Sequence, residues 1–120
     1  MKKVVMLKHI SCNNDIKILG FFYKKNIVDV ISFYMTLSGF SDARGQFDYS
    51  KEICTDVDYV YLLQIWDKSD EDYSIVEKIY TNEKSAKDFL YNYKLENTNE
   101  YQIEKYSIGE KYWIEGFISV

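Results

Sequence analysis

One order of elements occurs twice in this chain, and that recurrence constrains its fold more than any other feature. The first half opens with the apolar, β-prone run Val4-Val5-Met6-Leu7-Lys8-His9-Ile10. The polar turn Ser11-Cys12-Asn13-Asn14-Asp15 follows, and then Ile16-Lys17-Ile18-Leu19-Gly20-Phe21-Phe22-Tyr23. Two such runs about an Asn/Asp-rich turn predict a β-hairpin, because Asn and Asp bond their own backbone and accept turn geometry. The second half repeats the arrangement with Tyr59-Val60-Tyr61-Leu62-Leu63-Gln64-Ile65-Trp66, the turn Asp67-Lys68-Ser69-Asp70-Glu71-Asp72, and Tyr73-Ser74-Ile75-Val76-Glu77-Lys78-Ile79-Tyr80. Tyr73, Ile75 and Ile79 fall at period two, the spacing of one strand face.

Each hairpin leads into a helix. In the second half Thr81 or Asn82 can cap it, and Ala86, Phe89, Leu90 and Tyr93 lie at i, i+3, i+4 and i+7 on one face. In the first half Asn26 is the expected cap, and Ile27, Val30, Ile31, Tyr34 and Leu37 form the stripe. Val28, Phe33 and Met35 widen that stripe, which predicts deeper burial, and Gly39 is placed to end the helix. A third strand follows each helix: Phe47, Tyr49, Lys51 and Ile53 alternate with polar neighbours, as do Tyr101, Ile103 and Lys105. The predicted architecture is α+β. Two β-β-α-β repeats, 1–57 and 58–120, are displaced by roughly 55–57 residues and make one domain. A three-stranded sheet under one helix is marginal alone, so the halves are expected to merge into a mostly antiparallel sheet. Both helices would then lie on one face, with the other face partly open.

A chain of 120 residues with 47% hydrophobic and 28% charged residues has the size and make-up of one ordinary globular domain. Its net charge of −4, with lysines scattered and the pairs Lys2-Lys3 and Lys24-Lys25 too short to make a patch, argues against a nucleic-acid binder. No apolar window approaches the ~18 residues of a membrane span. Lys8 and His9 interrupt the apolar run near the amino terminus, so no secretory signal is read and the expected location is the cytoplasm. Cys12 and Cys54 lack metal-site spacing and are expected to be reduced thiols. No cofactor is expected: the five glycines form no phosphate-cradling motif.

The segments Leu37-Ser38-Gly39-Phe40-Ser41-Asp42 and Gly45-Gln46-Phe47 resemble a family of small uncharacterised bacterial domains (a domain of unknown function) whose members read L-P-G-F-x-D-x-P-x-G-F at this place. Tyr112-Trp113-Ile114-Glu115-Gly116-Phe117 is similar to that family's closing W-T-E-G-F. The opening Val5-Met6-Leu7-Lys8-His9 and the segment Ile18–Tyr23 are similar to its V-Y-x-L-x-H and L-I-G-x-Y segments. The likeness is split between the two halves, and no proline is present. It implies a fold rather than an activity. Such proteins are often encoded among toxin-immunity or phage-defence genes, which implies an inhibitor that binds another protein.

Candidate site residues are few. His9 is the sole histidine and lies in a predicted strand without a catalytic motif, so a packed histidine is favoured over a general base. Asp67, Asp70, Glu71 and Asp72 concentrate negative charge in one turn but lack the ligand series of a calcium loop. They read as a solvated turn, or as a docking point for a basic partner. Trp66 and Trp113 can be core anchors or binding hot spots. These observations predict a non-catalytic cytosolic protein that neutralises a partner protein, like an immunity protein or antitoxin. The alternative is a small-molecule or nucleotide-signal sponge with its pocket between the repeats. An enzyme using Cys54 or His9 ranks last. Exposed sheet edges leave a homodimer open.

Overall fold

The computed structural model describes residues 1–40, 44–67, 74–93 and 99–114. The class is α+β, with seven strands in antiparallel sheets and two helices. The chain divides into two units, Met1–Asp56 together with the stretch that begins at Ser107, and Val57–Tyr106. Hydrogen bonds among the described residues assemble the strands into two sheets, four-stranded and three-stranded, where the sequence reading has one merged sheet.

In the first unit β1 (Lys2–Ile10) is central and β2 (Ile16–Tyr23) pairs with it antiparallel. The hairpin turn forms as its residues dictate. Ser11 Oγ accepts from the backbone of Asn13 (3.3 Å) and Asp15 (3.1 Å), while Asn14 takes φ 63°, which Asn tolerates. On the other side of β1 the predicted third strand is split into β3 (Gln46–Asp48) and β4 (Glu52–Thr55). Lys8 pairs with Asp48 and Val5 with Glu52, so Met6 and Leu7 answer three residues, Tyr49, Ser50 and Lys51. Asp48 causes the break: its Oδ1 accepts from Ser50 N at 2.9 Å, closing a local turn that competes with the ladder. That backbone hydrogen bond, with one from the Ser50 hydroxyl, holds the Asp48 carboxyl below its ordinary range. Met6 N donates to Lys51 O at 3.0 Å and restarts the pairing.

β2 carries a second irregularity. Leu7 pairs with Gly20 and Lys8 with Ile18, leaving Leu19 bulged out of register. Gly20 has φ 140°, and a Cβ there would stand 2.5 Å from Glu110 O, so only glycine fits. The bulge aims Leu19 O at two donors, the Tyr34 hydroxyl (3.1 Å) and Tyr112 N (2.9 Å). Gly109 N donates to Phe21 O at 2.8 Å, so the stretch after Ser107 occupies the outer edge of β2. The expectation of an exposed edge fails there.

A 3-10 turn (Lys24–Asn26) leads into α1 (Ile27–Tyr34), whose buried residues Ile27, Val30 and Tyr34 pack with Phe40 on Val5, Leu7, Leu19 and Phe22. Asn26 precedes the helix, but its side chain makes no cap, because the 3-10 turn has already set its backbone in helical geometry. Gly39 takes φ 88° four residues beyond the last helical residue's successor, Met35, so it shapes the following turn and does not terminate α1. Val28, Phe33 and Met35 do not widen the buried stripe: they are 70%, 39% and 54% exposed. The opposite face of the hairpin is not open either, since Val4, Met6 and Phe21 are buried.

The second unit is regular. Its sheet runs β6 (Ser74–Tyr80), β5 (Tyr59–Asp67), β7 (Asn99–Ser107). Asn82 Oδ1 accepts from Ser85 N at 2.8 Å and caps α2 (Glu83–Asn92) as its residue type predicts. Ala86, Phe89, Leu90 and Tyr93 pack on Leu63, Ile65, Val76 and Ile103. Here too the strand face away from the helix is covered, with Val60 and Leu62 buried.

Candidate functional site

Antiparallel pairing of β1 and β2 sets Val4 opposite Tyr23, so the residues just before Val4 and just after Tyr23 come side by side. Those residues are Lys2-Lys3 and Lys24-Lys25. With Tyr23 they line a cavity of about 370 Å³ at the end of the first sheet. The two short lysine pairs therefore make a patch, contrary to their reading as isolated dipeptides. The signal was available: a hairpin joins the residues that flank it, whatever their separation along the chain.

β4 supplies a carboxylate to this cluster. Glu52 Oε2 accepts from Lys24 Nζ at 2.9 Å, and Glu52 Oε1 lies 3.9 Å from Lys3 Nζ. The hydrogen bond and charge of Glu52 raise the Lys24 ammonium above the ordinary lysine range, and the Lys24 hydrogen bond holds the Glu52 carboxyl below the usual carboxylate range. Lys2 Nζ sits 5.0 Å from the centroid of the half-buried Tyr23 ring, which carries both an apolar face and a hydroxyl. Of the four lysines that line the cavity, Lys3 and Lys24 have Glu52 beside them and Lys2 lies by the Tyr23 ring, so among the described residues lysines outnumber that carboxylate at this end of an acidic protein. Lysines gathered in this way repel one another, and an anion of several charges relieves that repulsion. Each ammonium can donate to a phosphate or carboxylate oxygen from a flexible stem.

The residues singled out by sequence lie elsewhere. Trp66 is half-buried on β5, opposite Ile75, and Asp67 ends that strand. Asp70, Glu71 and Asp72 fall outside the described residues. Trp113 belongs to the first unit. It is 49% exposed with φ 60°, and Lys17 Nζ lies 5.2 Å from its ring centroid. His9 is fully buried against the edges of Phe40 (4.9 Å) and Phe47 (5.1 Å). A Cβ at Gly45 would come within 2.7 Å of its Nε2, so His9, Gly45 and Phe40 fit one another as core. Cys12 lies in the hairpin turn and Cys54 pairs with Lys3, placing the two exposed thiols at opposite ends of β1, beyond disulfide reach. Among the described residues no three His, Cys, Asp or Glu side chains gather as a metal site, and no helix is long and apolar enough to cross a membrane.

No protein-family model matches the chain, and no curated protein or solved structure gives a significant match.

Proposed function

We propose that this is a non-catalytic cytoplasmic protein that binds a small, multiply charged anion of the phosphate-bearing class in the lysine pocket of its first unit. One observation carries the reading: four lysines from two strand ends line one cavity, and one carboxylate, Glu52, lies beside two of them, Lys3 and Lys24. This is the sponge reading of the sequence, moved to a pocket within the first unit. Thermal-shift measurement with inorganic pyrophosphate tests it. A ligand that binds only the folded state raises the melting temperature with concentration. The rise should shrink in high salt and vanish in a Lys2→Ala, Lys24→Ala variant. An unchanged melting temperature at millimolar pyrophosphate, or an equal shift in the variant, contradicts it.

A second reading, a partner-protein inhibitor of the immunity-protein or antitoxin type, has its own support. Val28 and Phe33 on α1 and Met35 just after it are exposed apolar side chains, the kind of surface residue a partner protein can cover. Co-purification with the products of neighbouring genes tests it. A retained partner that is lost on Val28→Lys supports it, and an empty pull-down at micromolar concentration counts against it.

A further inference from the structure

We infer that the anion bound by the lysine pocket is nucleotide-like, with an aromatic heterocycle that lies beyond Tyr23 in a second cavity. The inference rests on the anion-binding reading and goes further by assigning the uncharged part of the ligand. The second cavity holds about 300 Å³ and shares Tyr23 with the lysine pocket, so one residue lines both. The shared residue is not an accident of lining. The backbone runs from Tyr23 through Lys24 and Lys25, which line the first cavity, directly to Asn26, which lines the second.

The chemistry of the second cavity differs from that of the first. Phe22, Val30 and Phe33 give it apolar walls suited to a flat ring, and Lys111 Nζ sits 5.2 Å from the Phe33 ring centroid. Asn26 and Asp29 add polarity at one side. The Asn26 amide does not cap α1, so its donor and acceptor remain disposed to a ligand, and the Asp29 carboxylate accepts only. An aromatic ring with N–H groups on its edge, as in a purine, satisfies all of these. Gly109 closes the wall and is held in place by its bond to Phe21 O at 2.8 Å. Each cavity alone is at the lower end of small-molecule sites, and a ligand with a charged part and a ring uses both.

Isothermal titration with four probes tests this: guanosine diphosphate, adenosine diphosphate, pyrophosphate and guanosine. A diphosphate with a purine should bind about tenfold or more tighter than pyrophosphate, the scale of one stacked base. Phe33→Leu and Asp29→Asn should bring the nucleotide down towards pyrophosphate while leaving pyrophosphate affinity unchanged. Both positions lie at the surface, and the melting temperature of each free variant shows that it is folded. Pyrophosphate binding as tightly as either nucleotide, or nucleotide affinity untouched by both variants, overturns the inference and leaves the lysine pocket standing. Binding of none of the four probes removes the anion reading itself and this inference with it.

Discussion

The two units follow the same run of strand, strand, helix and strand, but only one of them bends the rules of regular structure. Every described residue with a left-handed φ, namely Asn14, Gly20, Gly39, Gly109 and Trp113, lies in the first unit. The stretch 57–106 contains no glycine at all. The first unit bulges at Leu19, breaks its third strand at Asp48, and ties α1 to the edge of β2 through one hydroxyl. The second unit has a capped, one-sided helix with the surface ion pairs Glu83–Lys87 (3.0 Å) and Lys84–Asp88 (3.7 Å) on a plain sheet. Both cavities described above open in the first unit, and one of its irregular residues, Gly109, lines the second of them; the other unit shows the same order of elements with regular backbone. Exceptions to local rules are expected at functional positions.

Substitutions in matched positions can break or sharpen this contrast. The largest effect is expected from Gly20→Ala. A side chain at φ 140° that must also clear Glu110 O should cost about 3 kcal/mol in urea unfolding. No residue described in the second unit has such a backbone, so a loss below about 0.5 kcal/mol would show that the bulge is not a constraint.

Next comes Tyr34→Phe. The Tyr34 hydroxyl donates to Tyr112 O (2.6 Å) and to Leu19 O (3.1 Å), and burial pushes it well above the ordinary tyrosine range. Its removal leaves Tyr112 O without that donor and should cost about 1–3 kcal/mol. The half-buried Tyr93 of the second unit packs by its ring alone on Phe89 (5.7 Å), and Tyr93→Phe should change stability by less than about 0.5 kcal/mol. Equal effects in the two would erase the distinction.

The helix caps reverse the direction of the contrast. Asn82→Ala should cost about 1 kcal/mol, and Asn26→Ala close to nothing, because only Asn82 holds a backbone N–H. Guanidinium melts of the two variants check this.

The smallest effect on stability, and the most informative for the pocket, belongs to Glu52→Gln. Its carboxyl titrates below the usual range in the fold because Lys24 donates to it. Its ionised form therefore stabilises the fold above the unfolded-state value, and that contribution fades as the pH falls through the folded value. The Gln variant should be slightly less stable at neutral pH and equal to the parent in acid. Meanwhile Lys3 and Lys24 are released, so pyrophosphate affinity at pH 7 should rise. A fall would show that Glu52 organises the pocket instead of competing for it.

How much of this was legible in the sequence differs between the units for the same physical reason. The β-prone run Tyr59–Trp66, the cap at Asn82 and the stripe from Ala86 to Tyr93 are local signals, and the second unit obeys them. In the first unit Asp48 looks like one more polar residue in an alternating strand, and only its bond to Ser50 reveals the break. Val28, Phe33 and Met35 read as buried because their residue types do not say which side of α1 the sheet occupies. The lysine pocket follows from the hairpin that the sequence predicts, but only if the flanks of both strands are read together. Tyr34 with Tyr112 is a long-range pairing with no local mark.

The account stands on Lys2, Lys3, Lys24 and Lys25 acting as one anion site, and amide chemical-shift mapping with pyrophosphate reads that directly. Shifts should concentrate at Lys2–Val4 and Tyr23–Asn26, saturate together, and leave Tyr59–Trp66 unmoved. Shifts spread over lysines throughout the chain, or none at millimolar ligand, would contradict it.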